Sequence, residues 1–291
     1  MVPRIFYFNI NYSCNNKCVY CFSHNTNNGR GNISCDEILN RLNEHNVTPN
    51  DILVINGGEP SLHPEFYKIV SNASNMCSVK IYTNGTMIDA TKLPKNIELV
   101  IPIHGYECAH NRVTRNQESY KLTIETLQRL QENFIRYSIK FIINEDMIND
   151  EFDILKFLKV NCLSPCEVWL ARLVESKVAM KNNYVVPNIK KVKEFLVETT
   201  KRLSGFYCVK YIDLAPCQIL DDKIVDIDDE SNSVFYFNDC NRNMIRTTYS
   251  KHLIANDNCV NCVIRELCDK IFSSYGVLEM QIDGNFKIVE E

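Results

Sequence analysis

The stretch RIFYFNINYSCNNKCVYC, residues 4–21, joins a strand-like run to three closely spaced cysteines. Residues 4–10 are rich in aromatic and β-branched side chains, a composition that predicts a β-strand. Cys14, Cys18 and Cys21 follow directly after this run. We therefore expect a loop of three thiols at the end of the first strand, and the central question is what those thiols bind.

Beyond this loop, the first two-thirds of the chain alternate short apolar runs with helical patterns. Further strands are predicted at residues 51–56, 78–85, 97–105, 137–144 and 166–173. Helices are predicted between and after them at residues 34–45, 63–74, 118–134, 150–161 and 188–203. Such alternation is typical of a parallel sheet with helices packed against it. Six units are fewer than the eight of a closed barrel, so we predict an α/β fold with a partial (β/α)6 TIM-like barrel.

The loops after the predicted strands contain the chemically unusual residues of the first half of the chain. In a parallel sheet these loops share the edge where the carboxyl ends of the strands meet, which is where such folds bind ligands. The loops are residues 11–21, 56–61, 83–85, 104–112 and 144–146. We expect the functional site at this edge.

Composition and charge exclude several classes of partner. The net charge of −4 and the lack of a long basic run argue against a nucleic-acid partner. No run approaches the roughly 20 apolar residues that cross a bilayer. The amino-terminal residues also lack the pattern of a signal peptide. We therefore expect a soluble, cytoplasmic protein without membrane contact.

The chain contains 14 cysteines, which are unevenly distributed. In a reducing compartment clustered cysteines indicate metal binding or catalysis rather than disulfides. After about residue 205 the strand–helix alternation stops, and the tail from residue 217 to residue 268 contains five cysteines: Cys217, Cys240, Cys259, Cys262 and Cys268. We predict a first domain at residues 1–205 and a small metal-held domain at residues 206–291. Six scattered cysteines are predicted to be small buried residues: Cys35, Cys77, Cys108, Cys162, Cys166 and Cys208.

Three kinds of chemistry fit three thiols on one loop. Zinc could bind them with His24 as a fourth ligand. A redox pair would use Cys18 and Cys21 and leave Cys14 unexplained. A 4Fe–4S cluster held by three thiolates would keep one iron open for a substrate or cofactor.

Two motifs resemble those of the radical S-adenosylmethionine (radical SAM) superfamily. The spacing of Cys14, Cys18 and Cys21, with Tyr20 before the last cysteine, is similar to its cluster-binding signature. NGGEP, residues 56–60, follows the second predicted strand and resembles its glycine-rich SAM-binding motif. The resemblance extends from residue 4 to about residue 200. It implies that the three cysteines hold a 4Fe–4S cluster whose open iron binds SAM, which is cleaved to a radical that abstracts hydrogen from substrate.

The resemblance also implies SAM contacts from the predicted loops, namely Tyr20, Gly57, Gly58, Glu59, Asn84, Arg115 and Asn144. The two glycines have no Cβ, so backbone groups there can approach the SAM ammonium closely. Arg115 is the candidate ion pair for the SAM carboxylate, with a solvated arginine at a helix start as the alternative. Pro102 and His104 stand where peptide-modifying members usually have serine and aspartate. His104 and His110 are either catalytic bases or hydrogen-bonded loop histidines, and catalytic residues stay unassigned.

Cys259, Cys262 and Cys268 resemble the core of the SPASM domain, which binds auxiliary 4Fe–4S clusters. This tail has fewer cysteines than that pattern, and it is closer to the shortened twitch type. The resemblance implies one auxiliary 4Fe–4S cluster with ligands from the five tail cysteines. A zinc knuckle is the alternative.

SPASM-like tails imply a peptide substrate and ribosomal peptide maturation by crosslinking or epimerisation. The alternative is a dehydrogenase or related enzyme acting on a small molecule such as a sugar or aminocyclitol. The chain begins at its first strand, so we expect leader recognition by the barrel or by a separate leader-binding protein. An electron donor such as flavodoxin or ferredoxin is the other expected partner.

Overall fold

The computed structural model describes residues 3–21, 31–173, 181, 187–203 and 205–212, together with the backbone of four later strands. His24, the candidate fourth ligand of a zinc site, lies outside the described residues. The same is true of the predicted auxiliary-cluster ligands Cys217, Cys240, Cys259, Cys262 and Cys268.

Seven consecutive parallel strands form most of the sheet. They are β1 (Ile5–Asn9), β2 (Ile52–Asn56), β3 (Ser78–Tyr82), β4 (Ile97–Ile103), β5 (Arg136–Ile143), β6 (Glu167–Arg172) and β7 (Val209–Ile212). Each pairs with the next in parallel, so that spatial order follows chain order from β1 to β7. On the other side of β1 lie the parallel β8 (Val234–Asn238) and the antiparallel β9 (Asn241–Thr247). A separate hairpin pairs β10 (Leu278–Met280) with β11 (Phe286–Ile288).

The predicted α/β class is confirmed, and the six predicted strands correspond to β1 to β6. In the described residues the sheet is open, because β7 and β9 lie at its two edges. The sequence did not indicate β7, since its four residues are too few to show a periodic pattern. The sheet thus continues past residue 205, and the division into residues 1–205 and 206–291 stays a prediction.

Helices join the strands as crossover connections. They are α1 (Cys35–Glu44), α2 (Phe66–Ala73), α3 (Glu107–Thr114), α4 (Ser119–Glu132), α5 (Glu145–Asn149), α6 (Ile154–Val160) and α7 (Ile189–Leu203). Short 3₁₀ turns occupy Pro60–Leu62 and Ala90–Lys92. None of the described helices is both long and apolar enough to cross a bilayer.

Helix α1 shows why the sequence pattern was informative. The Ser34 side chain accepts a hydrogen bond of 3.2 Å from the Glu37 backbone N–H and so caps the amino end of the helix. Ile38 and Leu42, four residues apart, are fully buried on the face that meets the core. The capping residue and the apolar spacing together fix where α1 begins and which side faces inward.

The prediction that residues 104–112 form a loop is wrong, because much of this segment belongs to α3. The helix has two turns and ends at Arg115, which adopts a left-handed conformation with φ 52°. Arg115 therefore caps the carboxyl end of a helix, and the alternative that placed it at a helix start is wrong. The pattern escaped detection because its inward face includes the polar side chains His110 and Asn111.

The hydrophobic core lies between one face of the sheet and the helices. Alternate strand residues such as Phe6, Phe8 and Leu99 are fully buried there. Replacing such a phenylalanine by alanine costs about 3–5 kcal/mol of folding free energy. Of the six scattered cysteines, Cys35 and Cys77 are buried as expected. The expectation was wrong for the other four, which are exposed: Cys108, Cys162, Cys166 and Cys208.

Candidate active site

The three-cysteine loop follows β1 and lies at the carboxyl end of the sheet. Its middle is attached to the end of α3, because the Lys17 and Val19 N–H groups each donate 2.9 Å hydrogen bonds to the Thr114 and Val113 carbonyls. All three cysteines in the loop are half-buried. The loop thus has a defined backbone path that does not depend on regular secondary structure.

Burial makes ionisation of the Cys14 and Cys18 thiols unfavourable. It raises the pKa of the Cys14 thiol to about 11, with the Asn16 N–H, 3.4 Å from Cys14 Sγ, acting in the opposite direction. Burial and the neighbouring thiols also raise the pKa of Cys18 far above its ordinary value. The positive charge of Arg115 acts in the opposite direction but does not outweigh them. A thiolate at such a position needs a nearby positive charge, and a bound metal ion supplies that charge to its thiolate ligands.

The Cys14 and Cys21 thiols are close enough to Cys18 to affect its ionisation. Among the residues that the structure describes, no three His, Cys, Asp or Glu side chains form a set able to hold a metal ion. A single zinc ion would draw its sulfur ligands to about 2.3 Å from one centre.

The loop of Gly57 and Gly58 follows β2 and packs against the start of the cysteine loop. The Gly58 N–H donates a 3.0 Å hydrogen bond to the Asn11 carbonyl, and the Glu59 N–H donates one of 2.7 Å to the Ser13 carbonyl. A Cβ on Gly57 would lie 2.4 Å from the Asn11 oxygen, and one on Gly58 would lie 2.3 Å from the Ser13 oxygen. The glycines are therefore needed for the two loops to meet, a reason that the sequence did not reveal.

Glu59 is fully buried and joins the ends of β2 and β3. Its carboxylate accepts hydrogen bonds from the Ser61 hydroxyl and the Thr83 hydroxyl, both at 2.6 Å, and from the Asn84 N–H at 2.7 Å. Burial raises the pKa of Glu59, and these donors act in the opposite direction. These hydrogen bonds make Glu59 a brace between the loops after β2 and β3.

Asn84 extends this connection to the cysteine loop. Its side-chain nitrogen donates to Asn15 Oδ1 at 2.9 Å and lies 3.9 Å from Cys14 Sγ. Its side-chain oxygen accepts from the Thr86 N–H and hydroxyl. The loops after β1, β2 and β3 thus form one hydrogen-bonded unit.

Arg115 and Asn144 occupy different environments. Arg115 is exposed at the end of α3, and its charge is close enough to affect the Cys18 thiol. Asn144 is buried, caps α5 by accepting from the Met147 N–H at 3.0 Å, and donates to the His104 carbonyl at 3.0 Å. The structure brings Arg115 to the cysteine loop, whereas the Asn144 side chain is engaged in holding β4 and β5 together.

A buried polar chain behind the cysteine loop was not foreseen as a connected unit. The Tyr20 hydroxyl lies 3.2 Å from His104 Nε2, and His110 Nδ1 accepts a 3.4 Å hydrogen bond from the His104 N–H. His110 Nε2 lies 3.1 Å from the Ser119 hydroxyl, which accepts from the Asn16 side chain at 3.2 Å. These residues come from separate segments of the sequence, so no local pattern indicated that their side chains would meet.

The buried environment of the two histidines favours their neutral forms. Burial and the neighbouring His110 lower the pKa of His104 well below its ordinary value, and burial lowers the pKa of His110 to about 3. His110 has partners at both ring nitrogens, which favours the interpretation of a hydrogen-bonded histidine over that of a base.

Two observations fit the iron–sulfur cluster and SAM that the sequence resemblance implies. The three thiols come from one loop, and ionising Cys14 and Cys18 requires compensating positive charge. Asn11 Oδ1 and His104 Nδ1 are also buried without a hydrogen-bond partner, which is costly unless a ligand supplies one.

Comparison with known proteins places these features in a family. The sequence profile of the radical SAM superfamily matches residues 8–158, just over half of the chain. Mycofactocin maturase MftC of Mycobacterium tuberculosis is 29% identical over 137 residues, which are 44% of this chain and 34% of that protein. A cysteine-type anaerobic sulfatase-maturating enzyme of Clostridium perfringens is 30% identical over 186 residues, 52% of this chain and 50% of that protein. The chain thus spans a third to a half of the length of these relatives.

Solved structures show the same fold. Native anSMEcpe with bound AdoMet and Cp18Cys peptide has a TM-score of 0.66 at 17% identity, covering 92% of this chain and 88% of that one. Streptococcus suis SuiB bound to S-adenosylmethionine has a TM-score of 0.64 at 13% identity, covering 92% of this chain and 72% of that one.

Proposed function

This chain belongs to the radical SAM superfamily, and on that premise we propose that it cleaves SAM reductively and abstracts a hydrogen atom from a peptide. The observation that carries the proposal is the direct contact between the cysteine loop and the glycine loop. Both follow neighbouring strands and are joined by the hydrogen bond from the Glu59 N–H to the Ser13 carbonyl. A three-thiol site and its glycine-rich neighbour therefore form one continuous structure.

When bound, a 4Fe–4S cluster and SAM supply the 5′-deoxyadenosyl radical, and the chain holds both in place. Cys14, Cys18 and Cys21 would bind three irons as thiolates and lose their protons on metal binding. Arg115 carries a positive charge beside Cys18, which suits the SAM carboxylate.

The other proposed SAM contacts differ in how directly they act. Tyr20, Gly57, Gly58 and Asn84 lie on the loops at the cysteine site, and their backbone or side-chain groups are candidates for direct contact. Glu59 and Asn144 are buried, unlike the partly exposed Tyr20 and Asn84, and their side chains are engaged in internal hydrogen bonds, so we propose that they act by fixing those loops.

Relatives support a peptide substrate. Two bear the names mycofactocin maturase and sulfatase-maturating enzyme. The sporulation killing factor maturation protein SkfB of Bacillus subtilis is 22% identical over 153 residues. SuiB has been solved with a precursor peptide, SuiA. We propose crosslinking or epimerisation of a ribosomal peptide, with an electron donor such as flavodoxin or ferredoxin and, where a leader must be held, a separate leader-binding protein.

We also propose that the tail holds one auxiliary 4Fe–4S cluster. The support is the resemblance of its cysteine spacing to the SPASM core. The candidate ligands are Cys217, Cys240, Cys259, Cys262 and Cys268.

A small-molecule substrate is the second candidate. Fe-coproporphyrin III synthase of Methanosarcina barkeri, whose name is not that of a peptide maturase, is 24% identical over 164 residues. The earlier alternative of a sugar or aminocyclitol dehydrogenase belongs to the same class.

The test combines turnover with product analysis. Anaerobically reconstituted protein with SAM and dithionite should release 5′-deoxyadenosine. A Cys18→Ala variant should lose this activity, and a Cys162→Ala variant at an exposed position far along the chain should retain it. Mass spectrometry of a co-expressed candidate peptide then distinguishes the outcomes, because a crosslink removes two hydrogens and an epimerisation in heavy water incorporates deuterium. Deoxyadenosine release with sugars or porphyrins but with no peptide would favour the second candidate.

A further inference from the structure

The chain's single tryptophan lies between two lysines on the sheet face opposite the hydrophobic core. Lys80 Nζ is 5.1 Å and Lys210 Nζ is 5.7 Å from the ring centroid of Trp169. Both distances are within the range of cation–π attraction. The three residues come from β3, β6 and β7, so only the folded sheet brings them together.

Two carboxylates complete the group. Glu98 is 3.8 Å from Lys80 and accepts a 2.7 Å hydrogen bond from the Ser138 hydroxyl. Glu167 is 3.2 Å from Lys210 and accepts a 2.8 Å hydrogen bond from the indole nitrogen of Trp169. Although burial raises the pKa of Glu167, the indole and the lysines outweigh it and keep the pKa below its ordinary value.

Positive charge is in excess on this face. The strand alternation that buries Ile139 and Phe141 in the core places Arg136 and Lys140 on the same face as Ser138. Among the described strand residues of β3 to β7 this face therefore carries four cations, Lys80, Arg136, Lys140 and Lys210, and two carboxylates, Glu98 and Glu167.

The charged side chains are not sealed off. Lys80 and Lys210 expose 21% and 22% of their side chains, while the Trp169 ring beneath them is 2% exposed. Among the described strand residues this face therefore carries a net positive charge, and such a surface attracts anions. The composition of this face suits a polar, negatively charged occupant.

We propose that this lysine–tryptophan surface, defined by Lys80, Lys140, Trp169 and Lys210, binds an acidic segment of the peptide substrate. The inference rests on the proposed peptide-modifying function and adds the charge of the substrate. The Tyr82 ring centroid is 6.1 Å from that of Trp169, and Tyr82 directly precedes Thr83, which contacts Glu59. The surface is thereby joined through β3 to the loops of the candidate active site.

Trp169 makes the test direct, because no other tryptophan contributes to the fluorescence. The probes are a short capped peptide of alternating glycine and glutamate and the same peptide with glutamine for glutamate. The acidic peptide should change the emission saturably and bind at least about tenfold more tightly than the glutamine peptide at low salt. Equal affinity for the two peptides, or no saturable change up to about 1 mM, would overturn the proposal.

Variants link the binding to the surface. Lys80→Met and Lys210→Met should each weaken acidic-peptide binding, whereas Lys210→Arg should retain it because the charge is kept. Lys159→Met is the matched control, since Lys159 lies 5.5 Å above the Phe206 ring at an exposed position elsewhere. Circular dichroism identifies any variant that fails to fold. If the methionine variants do not fold, the proposal is tested by the affinity of Lys210→Arg and by the comparison of the acidic and glutamine peptides on the unmodified protein. Unchanged affinity in both folded methionine variants contradicts the proposal.

Binding and turnover separate this inference from the proposed function. Turnover of acidic and neutral peptides with equal kcat/KM would remove the acidic-segment inference and leave the function intact. Charge-selective binding in a protein that releases no deoxyadenosine with SAM would retain the surface and remove the function.

Discussion

The Thr83 hydroxyl donates a 2.6 Å hydrogen bond to the buried carboxylate of Glu59. This contact joins the residue after β3 to the loop after β2, and the Glu59 backbone in turn joins that loop to Ser13. A glutamate in a glycine-rich loop thus holds three strand ends together around the thiols.

Replacing Glu59 by glutamine should destabilise the apo-protein. The hydrogen-bond partners of the carboxylate in the described residues are all donors, and a glutamine amide would direct its own N–H groups at some of them. We expect a loss of about 1–3 kcal/mol, measured by urea unfolding. Glu125→Gln, at an exposed helix pair with Arg129, is the control and should change stability by less than about 0.5 kcal/mol. Equal effects of the two changes would argue against the bracing role.

Gly58→Ala should displace the cysteine loop. The new methyl group would lie 2.3 Å from the Ser13 backbone oxygen, a position that cannot be relieved by rotating a side chain. We expect iron incorporation to fall several-fold in a variant that still folds. Gly31→Ala is the control, because nothing lies within 4 Å of a Cβ there. Wild-type iron content in both variants would contradict this account of the glycine loop.

Ser119→Ala should weaken the polar chain behind the loop. The hydroxyl accepts from the Asn16 side chain and contacts His110, so its loss leaves buried polar atoms without partners. The expected cost is about 1–3 kcal/mol in chemical denaturation, compared with an almost neutral Ser71→Ala on the exposed side of α2. If Ser119→Ala leaves the free energy of unfolding unchanged, the buried chain of polar side chains contributes little to stability.

Acid should remove the stabilising effect of Asp51. Burial acts to raise the pKa of Asp51, but hydrogen bonds from Arg4 and Thr48 outweigh it and hold the pKa below its ordinary value. A folded-state pKa below the unfolded value of about 3.9 means stability that is present above that pH and lost as the pH falls below it. Asp51→Asn should therefore lower stability by about 1–2 kcal/mol near neutrality and flatten the acid limb of the stability profile. Parallel pH profiles for the two proteins would refute this.

Sequence reasoning succeeded where the signal was local. The Ser34 cap and the Ile38–Leu42 spacing located α1, and the cysteine spacing located the site. It failed where the signal was distributed, as in α3, whose inward face includes the polar His110. The function of Gly58 depends on a backbone oxygen in another loop, and the position of Trp169 between two lysines depends on the register of the sheet. Neither relationship leaves a trace in nearby residues.

The central claim is that the three-cysteine loop holds a cluster with one iron available to SAM. Its most direct test is the electron paramagnetic resonance spectrum of anaerobically reconstituted, dithionite-reduced protein recorded with and without SAM. We predict a SAM-dependent change in the cluster signal that disappears in Cys18→Ala. A spectrum that SAM leaves unchanged, in protein shown to contain iron, would contradict the claim.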